Sequence, residues 1–168
     1  MAEPVLTSRD LILALVRDEP GLHLRELPRR LGLSLRSVRY HLDAMERDGR
    51  LERHPAGGFV RWFPSGLSRG ECTLISALRV RGQRVLLGFL LRQGASRFSE
   101  LLSSSRMSPA VLHGYLGRLG GEGIIQVSAD RRYGLVDADA VRMQLSMFRV
   151  RFPDLLADAA RDLFEDTR

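Results

Sequence analysis

The stretch RSVRYHLDAMERDGRL, residues 36–51, decides how the chain is read. Val38, Leu42 and Met45 recur at i, i+4 and i+7, the spacing of a helix that buries one face. Asp48-Gly49 then breaks the pattern. With Val38 at the centre of the buried stripe and about 100° per residue, Arg36, Tyr40, Asp43 and Arg47 point outward and Arg39 lies on the flank. His41 falls at the edge of the stripe, where a half-packed structural role is expected.

Working outward, Leu11, Ile12, Leu15 and Val16 repeat at helical spacing behind a cap at Thr7 or Ser8, and Pro20-Gly21 ends that helix. A second helix carries Leu24, Leu27 and Leu31 and closes at Gly32. Pro28 inside it is tolerable only if the helix starts late and places the proline in its first turn. Beyond Gly49, RLERHPAGGFVRWF has strand-like ends around a hairpin tip at Pro55-Ala56-Gly57-Gly58. Three helices followed by a β-hairpin is the order of a winged helix-turn-helix.

Shifting the chain against itself by 74 residues reveals a weak repeat. Glu26-Leu27 falls on Glu100-Leu101; Ser34, Leu42 and Gly49 fall on Ser108, Leu116 and Gly123; Phe59 meets Tyr133, all without a gap. Between the copies, PSGLSRGECTLISALRVRG (residues 64–82) is apolar enough to form a connecting helix. After the second hairpin, residues 138–150 carry Val141, Leu145 and Phe148 on one face, and Pro153 opens a last helix with Leu155, Leu156, Ala159 and Leu163. The expected fold is therefore mainly α with small β-hairpin wings. Its parts are a winged helix-turn-helix at 1–66, a second with its connecting helix at 67–137, and a C-terminal helical extension at 138–168.

Residues 7–64 resemble the winged helix-turn-helix transcriptional regulators common in archaea and related to the ArsR and MarR groups. The resemblance rests on Leu31-Gly32 closing the second helix, Leu33-Ser34 in the turn, Tyr40-His41-Leu42 in the third helix and Asp48-Gly49 leading into the wing. It implies that the third helix reads double-stranded DNA.

The residues themselves suit that role. Arg36 and Arg39 can take guanine or phosphate, Tyr40 a phosphate or a thymine methyl, and Asp43 a cytosine amino group, with Ser37 and Arg47 completing the face. Arg53, His54 and Arg61 along the hairpin suit phosphate, as do Arg131 and Arg132 at the second wing. The same projection on the second copy turns Ala110, Gly114, Gly117 and Gly121 outward, which cannot read bases and suit close packing or a dimer contact.

Net charge is +6 and all 26 basic residues are arginine, which fits a polyanionic partner but also a compositional bias. Cys72 is the single cysteine, expected to be buried, so no disulfide framework is possible. His23, His41, His54 and His113 are scattered, leaving no metal-ligand spacing, and no catalytic constellation marks an enzyme; no cofactor is expected. No apolar run suits a membrane span and no signal peptide opens the chain, so a cytoplasmic, nucleoid-associated place is expected. The expected function is a DNA-binding transcriptional regulator whose first module reads the major groove and whose second packs or contacts DNA non-specifically. A homodimer through the second module or the C-terminal helices is the expected assembly. The alternatives are an abundant sequence-tolerant architectural protein and a protein-interaction adaptor; nothing marks a pocket for an effector.

Overall fold

Thr7 caps the first helix: its hydroxyl accepts the Asp10 N–H at 3.2 Å while the Asp10 carboxylate accepts the Thr7 N–H at 3.1 Å. This reciprocal cap satisfies two donors that a helix start leaves without partners, and it opens α1 (Ser8–Asp18). The computed structural model describes residues 6–56 and 58–151. It divides into two units, one running through Ser76 and the other from Ala77, each considered by itself.

In the first unit α1 buries Ile12, Leu13 and Val16, so Leu11 and Leu15 lie nearer the edge of its stripe than the spacing alone suggests. A two-residue strand, β1 (Leu22–His23), precedes α2 (Glu26–Leu31). Pro28 is the third residue of α2, in the first turn, where its missing N–H removes no helix bond. Gly32, at φ +65°, ends α2 in the left-handed region that favours glycine. Next comes α3 (Leu35–Arg47), opened by Ser34, whose hydroxyl accepts the Ser37 N–H at 3.1 Å. Its buried residues are Val38, Leu42 and Met45, as their spacing requires.

Two antiparallel strands follow, β2 (Leu51–Ala56) and β3 (Phe59–Pro64), and β1 joins the far side of β3 to give the order β1-β3-β2. The strands reach further than the turn formers suggest: Pro55 pairs with Val60 and Ala56 with Phe59, so both belong to β2 and not to the tip. β2 is an edge strand, which is where proline's missing donor does least harm. The helices and sheet close over Ile12, Val16, Leu27, Val38, Leu42 and Met45. α4 (Arg69–Arg79) is shorter than the connecting helix expected over residues 64–82. Its early turns belong to the first unit, where Cys72 is buried and Thr73 Oγ1 lies 3.2 Å from His54 Nε2 on β2.

The second unit repeats this order of elements: α5 (Arg81–Gln93), β4 (Ser96–Arg97), α6 (Phe98–Ser105), α7 (Pro109–Gly121), β5 (Ile125–Val127) and β6 (Arg132–Leu135), with sheet order β4-β6-β5. Local bonds recur 74 residues on. Ser108 caps α7 by accepting the Val111 N–H, and the turns after α3 and α7 place Gly49 at φ +66° and Gly123 at φ +71°. The gapless match fails only in the return strand. Leu22 faces Trp62 whereas its counterpart Ser96 faces Tyr133, so Tyr133 occupies the station of Trp62, not that of Phe59. The second wing is three residues shorter, and the register slips by that amount.

Last among the described elements is α8 (Ala138–Arg151). It buries Val141 and Gln144, leaves Leu145 half-buried and exposes Met143 and Met147, so its inner face is rotated from the Val141, Leu145, Phe148 stripe read from the sequence. The Phe148 side chain and the helix read from Pro153, with Leu155, Leu156, Ala159 and Leu163, lie outside the described residues.

Two glycines of the second unit make opposite predictions. A Cβ added at Gly82 would lie 2.3 Å from Cε2 of Tyr115, whereas one at Gly114 would meet nothing within 4 Å. Gly82→Ala should therefore destabilise by about 1–3 kcal/mol through overpacking, and by less in a Tyr115→Ala background. Gly114→Ala should stabilise by up to about 1 kcal/mol through helix propensity. Denaturant unfolding of the four variants measures both.

Candidate nucleic-acid interface

The buried stripe of α3 leaves the opposite side of that helix to solvent. Arg36, Arg39, Tyr40, Asp43 and Arg47 are all exposed, Tyr40 at 67%, and Ser37 and His41 are half-buried at the margins. Arg36 and Arg39 hold no ion pair among the described residues, so their guanidinium donors remain available to an incoming acceptor. The Tyr40 ring stands edge-on to His41 at 5.4 Å. Arg47 bends back, its Nε donating to the Asp43 carbonyl at 3.2 Å. One helix face thus presents paired donors, a phenol and a carboxylate, the groups that can distinguish base edges in a major groove.

The cations of the wing are disposed differently. Arg53 Nε donates to Glu46 Oε1 at 2.7 Å, and its guanidinium lies 5.9 Å from the Trp62 ring centroid. The His54 ring packs edge-on to Phe63 at 5.9 Å. Because the Thr73 hydroxyl donates to the Arg69 carbonyl at 2.9 Å, its oxygen is left to accept the His54 Nε2–H. Burial, reinforced by Arg69, lowers the His54 pKa below the ordinary histidine range, so the ring is neutral near pH 7. Arg61 is half-buried and donates Nη1–H to the Gly21 carbonyl at 2.9 Å. The three residues of this wing assigned to phosphate from the sequence thus all have partners within the protein. The tip of this wing is instead apolar, with Phe59 59% and Val60 43% exposed.

Ala110, Gly114, Gly117 and Gly121 are exposed on α7, the helix that matches α3, while Leu112, Leu116 and Leu119 are buried. The sites of Arg36, Tyr40, Asp43 and Arg47 are therefore filled, 74 residues on, by side chains of at most one carbon. Arg131 is exposed at the second wing tip at φ +59°. Its neighbour Arg132 is half-buried, held by Asp130 Oδ2 at 3.0 Å and by the Ala95 carbonyl at 3.2 Å.

Residues 6–75 match a protein-family model described as an N-terminal HTH domain. This segment is an archaeal-type helix-turn-helix domain. Together with its wing, the match agrees with the resemblance that Leu31-Gly32 and Tyr40-His41-Leu42 carry, and it indicates DNA as the partner and transcription regulation as the setting. The matched segment stops one residue short of the unit boundary at Ser76. No curated protein matches the chain.

Several exposed arginines of the helix-turn-helix domain escaped the sequence reading, among them Arg17, Arg25, Arg29 and Arg50. Arg25 and Arg29 are exposed at i and i+4 at the start of α2, with no ion pair among the described residues. Their signal was present in HLRELPRRL, where the arginines fall outside the leucine stripe. Among the described residues no three His, Cys, Asp or Glu side chains gather as metal ligands, and no helix is long and apolar enough to cross a membrane.

Cys72 is buried, and burial with the nearby carboxylates of Glu52 and Glu71 pushes its thiol up to about 11. The folded state therefore holds the proton that an unfolded chain releases near the ordinary thiol value of 9.0. The resulting stability is intact below about pH 9 and is lost as pH rises through the window up to about 11. Cys72→Ala should remove that alkaline loss, measured by denaturation from pH 8 to 11, and native Cys72 should resist alkylation at pH 8 until denaturant is added.

Proposed function

We propose that the chain is a sequence-specific transcriptional regulator of double-stranded DNA, read through the outward face of α3. The observation that carries this is the contrast between matching helices. α3 exposes Arg36, Tyr40, Asp43 and Arg47, while α7 keeps the buried leucines and places only Ala110, Gly114, Gly117 and Gly121 at the corresponding outward sites; the flanking Arg39 is matched by the exposed His113. Asp43 is central to the choice. A carboxylate repels phosphate and is useful chiefly opposite a cytosine amino group, so a helix built only to coat DNA would not carry it there.

On this reading the second unit is a second winged helix-turn-helix that has given up base reading. Its smooth α7 face packs against another helix, and a homodimer brings two copies of α3 to half-sites related by two-fold symmetry. The protein works in the cytoplasm, on the nucleoid, and has no catalytic role. A second reading, an architectural protein with little sequence preference, draws on the exposed Arg131 at the second wing tip and on a bare face that lets a sugar-phosphate backbone approach.

Sheared genomic duplex DNA passed over the protein at near-physiological salt separates these readings. The expected result is a narrow enriched motif, palindromic if the dimer forms. Arg36→Ala should then weaken binding to that motif by about 1–3 kcal/mol and relax the preference at one position. Broad retention without a motif would establish the architectural reading, and no retention would leave an adaptor. Ala110→Leu combined with Gly114→Leu tests the second unit: unchanged oligomer size and unchanged DNA affinity together would remove its packing role.

A further inference from the structure

Arg61 and Arg132 stand 71 residues apart, yet they occupy one station of the shared plan. Arg61 pairs with His23 across β3 and β1, and Arg132 pairs with Arg97 across β6 and β4. The partners His23 and Arg97 are separated by the full repeat of 74. The second wing lost three residues, and the arginine moved with the strand register instead of with the sequence count. At both stations Nη1 donates to the carbonyl of the residue just before the two-residue strand, Gly21 at 2.9 Å and Ala95 at 3.2 Å.

The other side of each strand is secured in the same duplicated way. The His23 N–H donates to Glu26 Oε2 at 2.6 Å, and the Arg97 N–H donates to Glu100 Oε2 at 2.6 Å. Two residues of strand offer very little ladder of their own, so the strand depends on these side chains for its place. Desolvation acts on the half-buried Arg61 guanidinium, and Glu26 nearby offsets part of it. A guanidinium turned to an internal carbonyl in this way is poorly placed to grip a phosphate.

We propose that Arg61 and Arg132 are positioning residues that clamp each wing to the strand ahead of the following helix, fixing the wing's angle rather than contacting phosphate. The proposal rests on the DNA-binding reading for its functional consequence. Phosphate contact in the first unit then falls to other exposed arginines, among them Arg25 just before α2, Arg29 on α2 and Arg36 and Arg39 on α3.

The test uses the full chain with Arg61→Met, Arg61→Lys, Arg132→Met and, as a reference for direct contact, Arg25→Met. The probe is a duplex carrying the enriched motif, or random duplex if no motif emerges, titrated across a range of salt. Arg61→Met should lower affinity about tenfold, the scale of one hydrogen bond from a charged donor, with the slope of log affinity against log salt unchanged. Arg25→Met should reduce that slope by about 1. Arg61→Lys should recover only part of the affinity, because one ammonium on a shorter stem reaches the Gly21 carbonyl less well.

Amide exchange of the DNA-free variants provides the independent arm. Gly21, whose N–H donates to the Trp62 carbonyl at 2.8 Å, should exchange at least tenfold faster in Arg61→Met, and the β4–β6 ladder likewise in Arg132→Met. A slope reduced by about 1 in Arg61→Met, with full recovery in Arg61→Lys, would make Arg61 a phosphate contact and overturn the clamp. Unchanged exchange would overturn it whatever the DNA result. A wild-type chain that binds no duplex would defeat the DNA-binding reading alone, while the exchange arm still decides whether the clamp exists.

Discussion

The burial of Val38, Leu42 and Met45 against the other helices is the constraint on which the first unit rests. A helix can bury only one stripe, and once these residues take it, the positions of Arg36, Tyr40, Asp43 and Arg47 are forced to the solvent side. Nothing about the outward residues is needed to hold the helix in place. The second unit makes the same point from the other direction: Leu112, Leu116 and Leu119 hold α7 while its outward face carries almost no side chains. Core and reading surface are separable on one helix, so the fold can persist when the surface is stripped.

The wing is not separable in this way. Its basic residues lie on short strands beside the helices, close enough for Glu46, Thr73 and the Gly21 carbonyl to capture them. Each of these residues therefore already has a partner within the protein. The domain keeps exposed arginines on α1, at α2, on α3 and just beyond it, and an apolar tip at Phe59 and Val60.

Comparing the two units shows which features the plan requires. The serine caps at 34 and 108, the left-handed glycines at 49 and 123, the glutamates at 26 and 100 and the inward arginines at 61 and 132 recur. These residues end helices, turn the chain or hold a two-residue strand, and each answers a demand of the backbone. The outward residues of the third helix answer no such demand, and they are the ones that differ.

Much of this was legible in the sequence because helices impose a period. The buried residues of α3 and α7, the cap at Thr7, the late start of α2 around Pro28 and the burial of Cys72 all follow from local spacing and local chemistry. What escaped has an equally physical explanation. β1 and β4 are two residues each and carry no period. The three-residue slip of the second wing depends on strand pairing, which a gapless comparison cannot see. The inner face of α8 is chosen by what packs against it, and so buries Gln144 where the pattern favoured apolar neighbours. By itself, then, the sequence determined which segments are helical and, for α3 and α7, which side is buried, since those depend on neighbours three or four residues away. Only the tertiary structure decided which arginines remain for a ligand, because Arg61 meets Gly21 across 40 residues of chain and that meeting exists only once the sheet has formed.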